Sequence, residues 1–227
     1  MTLVLHPITE HRSRQVTAHP AHSLLIEATD GTGKGAVASY LAAKILDIGE
    51  HKVLSSPFVR HIAPDTTISI DAIRELNSFV KLKIPGAAAI RRIIIVEHAQ
   101  RMTIEAQNAF LKLLEEPPAD TVIILTASNS KQLLPTITSR LAVIRLAKPT
   151  EESLKNFFLA QGFEQKEIDK AYAMSRGTPG VMTAILDHAE DEPLLLHISY
   201  AKDILRATTF ERLSKVDEII KRIEKKN

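Results

Sequence analysis

The chain has 227 residues, 44% hydrophobic and 25% charged with only 4% aromatic, a balance that supports an aliphatic core in one or two domains. Twenty-nine Lys and Arg against 27 Asp and Glu leave a formal charge of +2, which excludes an acidic tail and a strongly basic nucleic-acid wrapper but not a local basic patch. There is no Cys, which excludes disulfides, Fe–S clusters, Cys-type zinc sites and cysteine nucleophiles.

The N-terminal residues mix His6, His11, Arg12 and Arg14 with few apolar side chains, so no secretory leader is expected there. Leu24, Leu25 and Ile26 make the first strand-sized apolar run, and an Ala-rich helical pattern follows from about Gly33 to Ile48. A weaker strand is expected near Val53. Ile68, Ser69 and Ile70 then lead to Asp71, the expected cap of a helix with Ile73, Leu76, Phe79 and Val80 on one face. Residues 93–96 form the next apolar run. Thr103 is expected to cap a helix carrying Ala106, Phe110, Leu113 and Leu114, which Pro117 and Pro118 stop. The 122–125 run, a short helix near Gln132 and a strand at Ala142, Val143 and Ile144 complete the alternation.

Buried-looking strands alternating with helices predict an α/β fold with a five-stranded, mainly parallel sheet covered on both faces. No apolar run approaches the ~20 residues of a membrane span, and a cytoplasmic chain without membrane contact is expected. After Pro149 only helical periodicity remains. Thr150 opens one helix and Gly162 closes it, a second runs to about Ser175, and the turn Gly177, Thr178, Pro179, Gly180 precedes a third. Two more helices are expected from about Pro193, the last opened by a Thr208 to Glu211 capping box and striped by Leu213, Val216, Ile220 and Ile223. Basic residues outnumber acidic ones from Tyr200 onward, the pattern of a solvated helix face. The division expected is residues 1–148 for the α/β core, 149–190 for a three-helix lid and 191–227 for a short helical segment.

The segment Ala28, Thr29, Asp30, Gly31, Thr32, Gly33, Lys34, Gly35 lies between the first strand and the first helix, where a phosphate loop belongs. Gly31, Gly33 and Lys34 suit a phosphate cradle. The leading Gly of the full pattern is Ala28, and the hydroxyl that would ligate Mg²⁺ is replaced by Gly35. Glu97, after the 93–96 run, occupies the place of the second nucleotide motif, while His98 is a poor general base and reads as a strand-end polar residue. The nine His are scattered without metal-ligand spacing, so no metal site is expected.

Several segments together resemble bacterial DNA polymerase III clamp loaders of the AAA+ family. Residues 108–118, NAFLKLLEEPP, resemble the signature NALLKxLEEPP. Leu125 to Asn129, Leu133 to Ile137, and Ser139 with Arg140 resemble the sensor 1 strand, the helix after it and the SRC motif, with Leu141 in place of the Cys. The resemblance covers roughly residues 15–190. Within that family, the Glu97, His98, Ala99 triplet is similar to the non-hydrolysing delta-prime type, and Gly180 stands where the sensor 2 Arg of active subunits would be. The resemblance implies an AAA+-type core and lid, and a non-catalytic subunit that helps load the sliding clamp onto primer–template DNA. It implies that Arg140 is an arginine finger acting on a neighbour's ATP. It also implies gamma/tau-type ATPase and delta-type subunits as partners, with primer–template DNA met through the complex. No cofactor is required for that role. Weak ATP or ADP binding at Gly31, Gly33, Lys34 and Glu97 is compatible with it, whereas the family's zinc module has no counterpart between Ile48 and Pro64. The family's helical collar has too little length in residues 191–227, which reads as a truncated remnant. Two other readings stay open: a feebly active P-loop ATPase using Lys34 and Glu97, and a solitary AAA+-like replication adaptor.

Overall fold

The computed structural model describes residues 5–64, 66–81, 89–187 and 208. In chain order the elements are α1 (Pro7–Ala18), β1 (Ser23–Glu27), α2 (Lys34–Leu46), β2 (Val59–Ile62), α3 (Ile70–Val80), β3 (Arg92–Val96), α4 (Ile104–Glu115), β4 (Thr121–Ala127), α5 (Pro135–Thr138), β5 (Ala142–Arg145), α6 (Glu151–Ala160), α7 (Gln165–Ser175) and α8 (Pro179–Leu186). The strands form one five-stranded sheet in the order β2-β3-β4-β1-β5, with every pairing parallel, as the alternating pattern predicts.

The central strands β3 and β4 are buried along their whole length, which is why they read as continuous apolar runs. Their side chains still alternate between faces. Leu25, Ile94, Val96, Ile123 and Leu125 pack on one side against Ile73 and Leu76 of α3 and Phe110 and Leu113 of α4. Leu24, Ile26, Ile93, Ile95, Val122 and Ile124 pack on the other against Val37 and Leu41 of α2. The last three helices have a core of their own, built on Leu154, Phe158, Ile168, Ala171 and Met182. All five strands run the same way, so the loops after β1, β3 and β4 open at one edge of the sheet, where ligands of such sheets gather.

Three local features differ from the sequence reading. The strand expected near Val53 is displaced to Val59–Ile62; residues 50–52 form a 3-10 turn, and Val53 is buried in the α2 layer without joining the sheet. The cap of α3 is Ser69, whose Oγ accepts from the Ala72 amide, while Asp71 sits in the first turn and pairs with Arg74. Helix α1 was not expected at all. Its two buried side chains are the small polar Thr9 and Ser13, so it carries no apolar stripe to announce it. The helices expected from Pro193, the capping box ending at Glu211 and the stripe from Leu213 to Ile223 lie outside the described residues.

Candidate functional site

The turn after β1 curls into the phosphate-loop shape. The Ala28 amide donates to the Ala127 carbonyl, which extends the β1–β4 pairing to the base of the loop. Gly31 and Gly33 adopt φ of 77° and 84°, the left-handed region that other residues enter at a cost, and Gly33 is the N-cap of α2. Lys34, the first residue of α2, is only 5% exposed. Its Nζ donates to the Thr29 carbonyl at 3.1 Å and to Asp30 Oδ1 at 2.9 Å. His98 Nδ1 lies 3.9 Å from the same Asp30 oxygen.

Glu97 reaches the loop from the end of β3. Its Oε1 is 2.8 Å from His61 Nε2 on the neighbouring strand β2. The hydrogen bond from His61 is the main reason that the Glu97 carboxyl is held below the ordinary glutamate range; the charges of His61, His98 and Lys34 act in the same direction, against partial burial. The carboxylate lies directly over Gly35. A Cβ on Gly35 would stand 2.6 Å from a Glu97 oxygen. The position that would need a hydroxyl for Mg²⁺ therefore lacks the hydroxyl, and the Glu97 carboxylate stands over it.

The lid closes on the loop from the other side. The Gly180 amide, in the first turn of α8, donates to the Gly31 carbonyl at 2.8 Å. A Cβ on Gly180 would meet that carbonyl oxygen at 2.8 Å, and a Cβ on Gly31 would meet the Thr178 side chain at 2.8 Å. Two glycines thus allow lid and loop to touch backbone to backbone. A magnesium nucleotide does not fit these residues as they stand: the lysine already has a carboxylate, the hydroxyl is absent, and the lid rests on the loop. Among the described residues no group of His, Cys, Asp and Glu is arranged to hold a metal ion.

The structure brings Gly31, Gly33, Lys34 and Glu97 together, with Gly35, His98 and Gly180 around them. Arg140 stands apart, just after α5, where it is 37% exposed. Its guanidinium donates to the Thr136 carbonyl at 2.7 Å and to Glu115 Oε1 at 3.0 Å. Glu115 ends α4, so an ion pair ties the ends of two helices and holds the arginine at the surface. Glu115 lies within the 108–118 motif, whose pattern alone does not show the pairing with Arg140.

Gln107 was also missed. It is 2% exposed in the middle of α4. Its amide donates to the Met102 carbonyl at 3.2 Å, and its oxygen accepts from the Leu134 amide at 2.8 Å, fastening α4 to the turn before α5. A buried amide among apolar helix positions was the only signal in the sequence. Farther along the same edge, the Glu27 carboxylate accepts from the amide and hydroxyl of Ser130 and from Arg145. The Ser130 hydroxyl contributes most to holding its pKa below the ordinary range.

Residues 7–150 match the profile of the family described as DNA polymerase III, delta subunit. The chain is 31% identical over 174 residues to DNA polymerase III subunit delta' of Haemophilus influenzae, covering 70% of this chain and 53% of that protein. It is 34% identical over 142 residues to the subunit delta' of Pseudomonas aeruginosa, covering 54% of this chain and 42% of that protein. The chain thus spans about half the length of the curated relatives it matches. Among solved structures, a DNA polymerase III gamma subunit-related protein from Thermotoga maritima superposes with a TM-score of 0.60 at 22% identity, covering 93% of this chain and 77% of that one. That likeness shows the fold alone: a parallel α/β core followed by a helical segment is shared with that protein.

Proposed function

The chain belongs to the DNA polymerase III delta-subunit family, as a clamp-loader subunit of the delta-prime type, and on that premise we propose that its part in DNA replication is non-catalytic. It acts beside gamma/tau-type ATPase and delta-type subunits, in the cytoplasm, to help place a sliding clamp on primer–template DNA. It supplies Arg140 to the ATP of a neighbouring subunit, where a guanidinium stabilises charge on the transferred phosphoryl group. It needs no cofactor of its own for this.

The observation that carries the reading is Gly35 at the metal-hydroxyl position, with the Glu97 carboxylate standing over it. Phosphoryl transfer depends on preorganised groups around a metal, and loss of one such group typically costs ~10²–10³ in rate. Here the metal hydroxyl is absent and the Glu97 carboxylate stands over its position. Arg140 supports the second half of the reading: it is kept on the surface by Glu115 and Thr136, away from the chain's own cleft.

Phosphate release from the purified chain with magnesium ATP tests the non-catalytic reading. The expected result is no turnover above background. Steady release at about 1 per second or faster, the lower end of ordinary enzyme turnover, would contradict it if Lys34→Ala abolished that release.

A further inference from the structure

The misfit between the cleft and a nucleotide has a specific author within the loop. We propose that Asp30 is the resident anion of the phosphate loop, and that its carboxylate on Lys34 decides that this cleft takes no polyphosphate. Lys34 is 5% exposed, and an ammonium so placed needs a counter-charge close by. In a phosphate loop that charge arrives with the ligand. Here it arrives with the chain: Asp30 Oδ1 sits 2.9 Å from Nζ, and the Thr29 carbonyl takes a second N–H at 3.1 Å. His98 Nδ1, 3.9 Å from the same oxygen, adds a polar neighbour to the carboxylate.

The competition favours the residue already there. Asp30 is four positions from Lys34, so their encounter is intramolecular, and a dissolved anion must match its high effective concentration. Displacement is no escape, because the displaced carboxylate remains within the same short loop, beside the phosphates, as a like charge. The Asp30 side chain is 68% exposed, so it is tethered by its charge partner and not by packing. Its removal therefore leaves the loop shape intact. Gly31 and Gly33 keep their turns, α2 keeps an N-terminus without a side-chain cap, and Lys34 loses its only hydrogen-bonded carboxylate among the described residues, with Glu97 near enough to feel its charge but not bonded to it. The inference deepens the non-catalytic reading of this cleft. It makes no use of Arg140, so its failure leaves the role of that residue standing.

The experiment is calorimetric titration of the full chain with inorganic pyrophosphate, without magnesium, against Asp30→Ala, the near-isosteric Asp30→Asn, and Asp30→Ala combined with Lys34→Met. Circular dichroism and thermal melting of each variant establish folding, and Asp30→Asn carries the test if the alanine variant does not fold. The expected result is no saturable binding by the unaltered chain, binding at least ~10-fold tighter once the carboxylate is gone, as expected for an anion site at a helix N-terminus with an unpaired lysine, and loss of that binding in the double variant. Pyrophosphate binding by the unaltered chain as tight as by the Asp30 variants would overturn the proposal. So would Asp30 variants that fold and show no Lys34-dependent binding.

Discussion

Gly35 and Gly180 sit at close approaches of different kinds, the first to a movable side-chain end and the second to backbone. One lies beneath the Glu97 carboxylate, and the other allows the lid to touch the Gly31 carbonyl. Gly180→Ala pushes a methyl to 2.8 Å from a backbone oxygen that has no flexible end to yield. It is expected to cost ~1–3 kcal/mol, as overpacking in a fitted contact does, and a urea unfolding midpoint measures it. Glu97 sets a pH dependence. Its pKa in the folded protein is below the ordinary 4.5, chiefly through the hydrogen bond from His61, so folding favours the carboxylate. Its contribution to stability is complete above the unfolded pKa and disappears as pH falls through the lowered folded value. Between about pH 5 and 3 the unaltered protein should therefore lose stability more steeply than Glu97→Gln, when unfolding midpoints are followed against pH. Gly35, His98 and Gly180 were legible as departures because a motif fixes what belongs at each place. The pairing of Asp30 with Lys34 depends on how the loop curls, and that of His61 with Glu97 on the register of β2 against β3. Neither is written in a local pattern.

At the level of elements, α4 links the cleft to the arginine. Thr103 caps it just beyond the turn that follows Glu97 and His98, Gln107 fastens its middle to the turn before α5, and Glu115 at its end holds Arg140. Gln107→Ala leaves the partly buried Leu134 amide without its acceptor. The expected loss is ~1–3 kcal/mol, read from the unfolding midpoint, while an exposed neighbour such as Asn108→Ala should lie within ~0.5 kcal/mol. Most elements were visible in the sequence because their burial is apolar and periodic: β3, β4, α3 and α4 pack as their patterns require. The exceptions have physical causes. Helix α1 buries Thr9 and Ser13, and Thr9 Oγ1 accepts from the Ala147 amide, so polar contact does what an apolar stripe would do elsewhere. Val53 is apolar and buried yet belongs to a turn. Burial alone thus did not distinguish it from a strand residue.

At the level of the molecule, a parallel α/β core and a lid with its own core meet at the phosphate-loop turn, where the Gly180 amide donates to the Gly31 carbonyl. The arginine lies elsewhere, at the junction of α4 and α5. This separation supports the functional reading: the lysine of the loop is paired within the chain, and Arg140 is held at the surface by Glu115. No described helix is long and apolar enough to cross a membrane. The central claim is that Arg140 acts on another subunit's nucleotide. Its most direct test is the DNA- and clamp-stimulated ATPase rate of a reconstituted loader carrying either the unaltered chain or Arg140→Ala, with matched melting curves for the two chains. A finger supplied in trans is worth ~10³–10⁵ at its site. Since one site among several depends on it, the account predicts a partial fall in the rate of the whole complex, with the variant still folded and still assembled. An unchanged rate in the assembled variant complex would contradict it and leave Arg140 as a structural partner of Glu115.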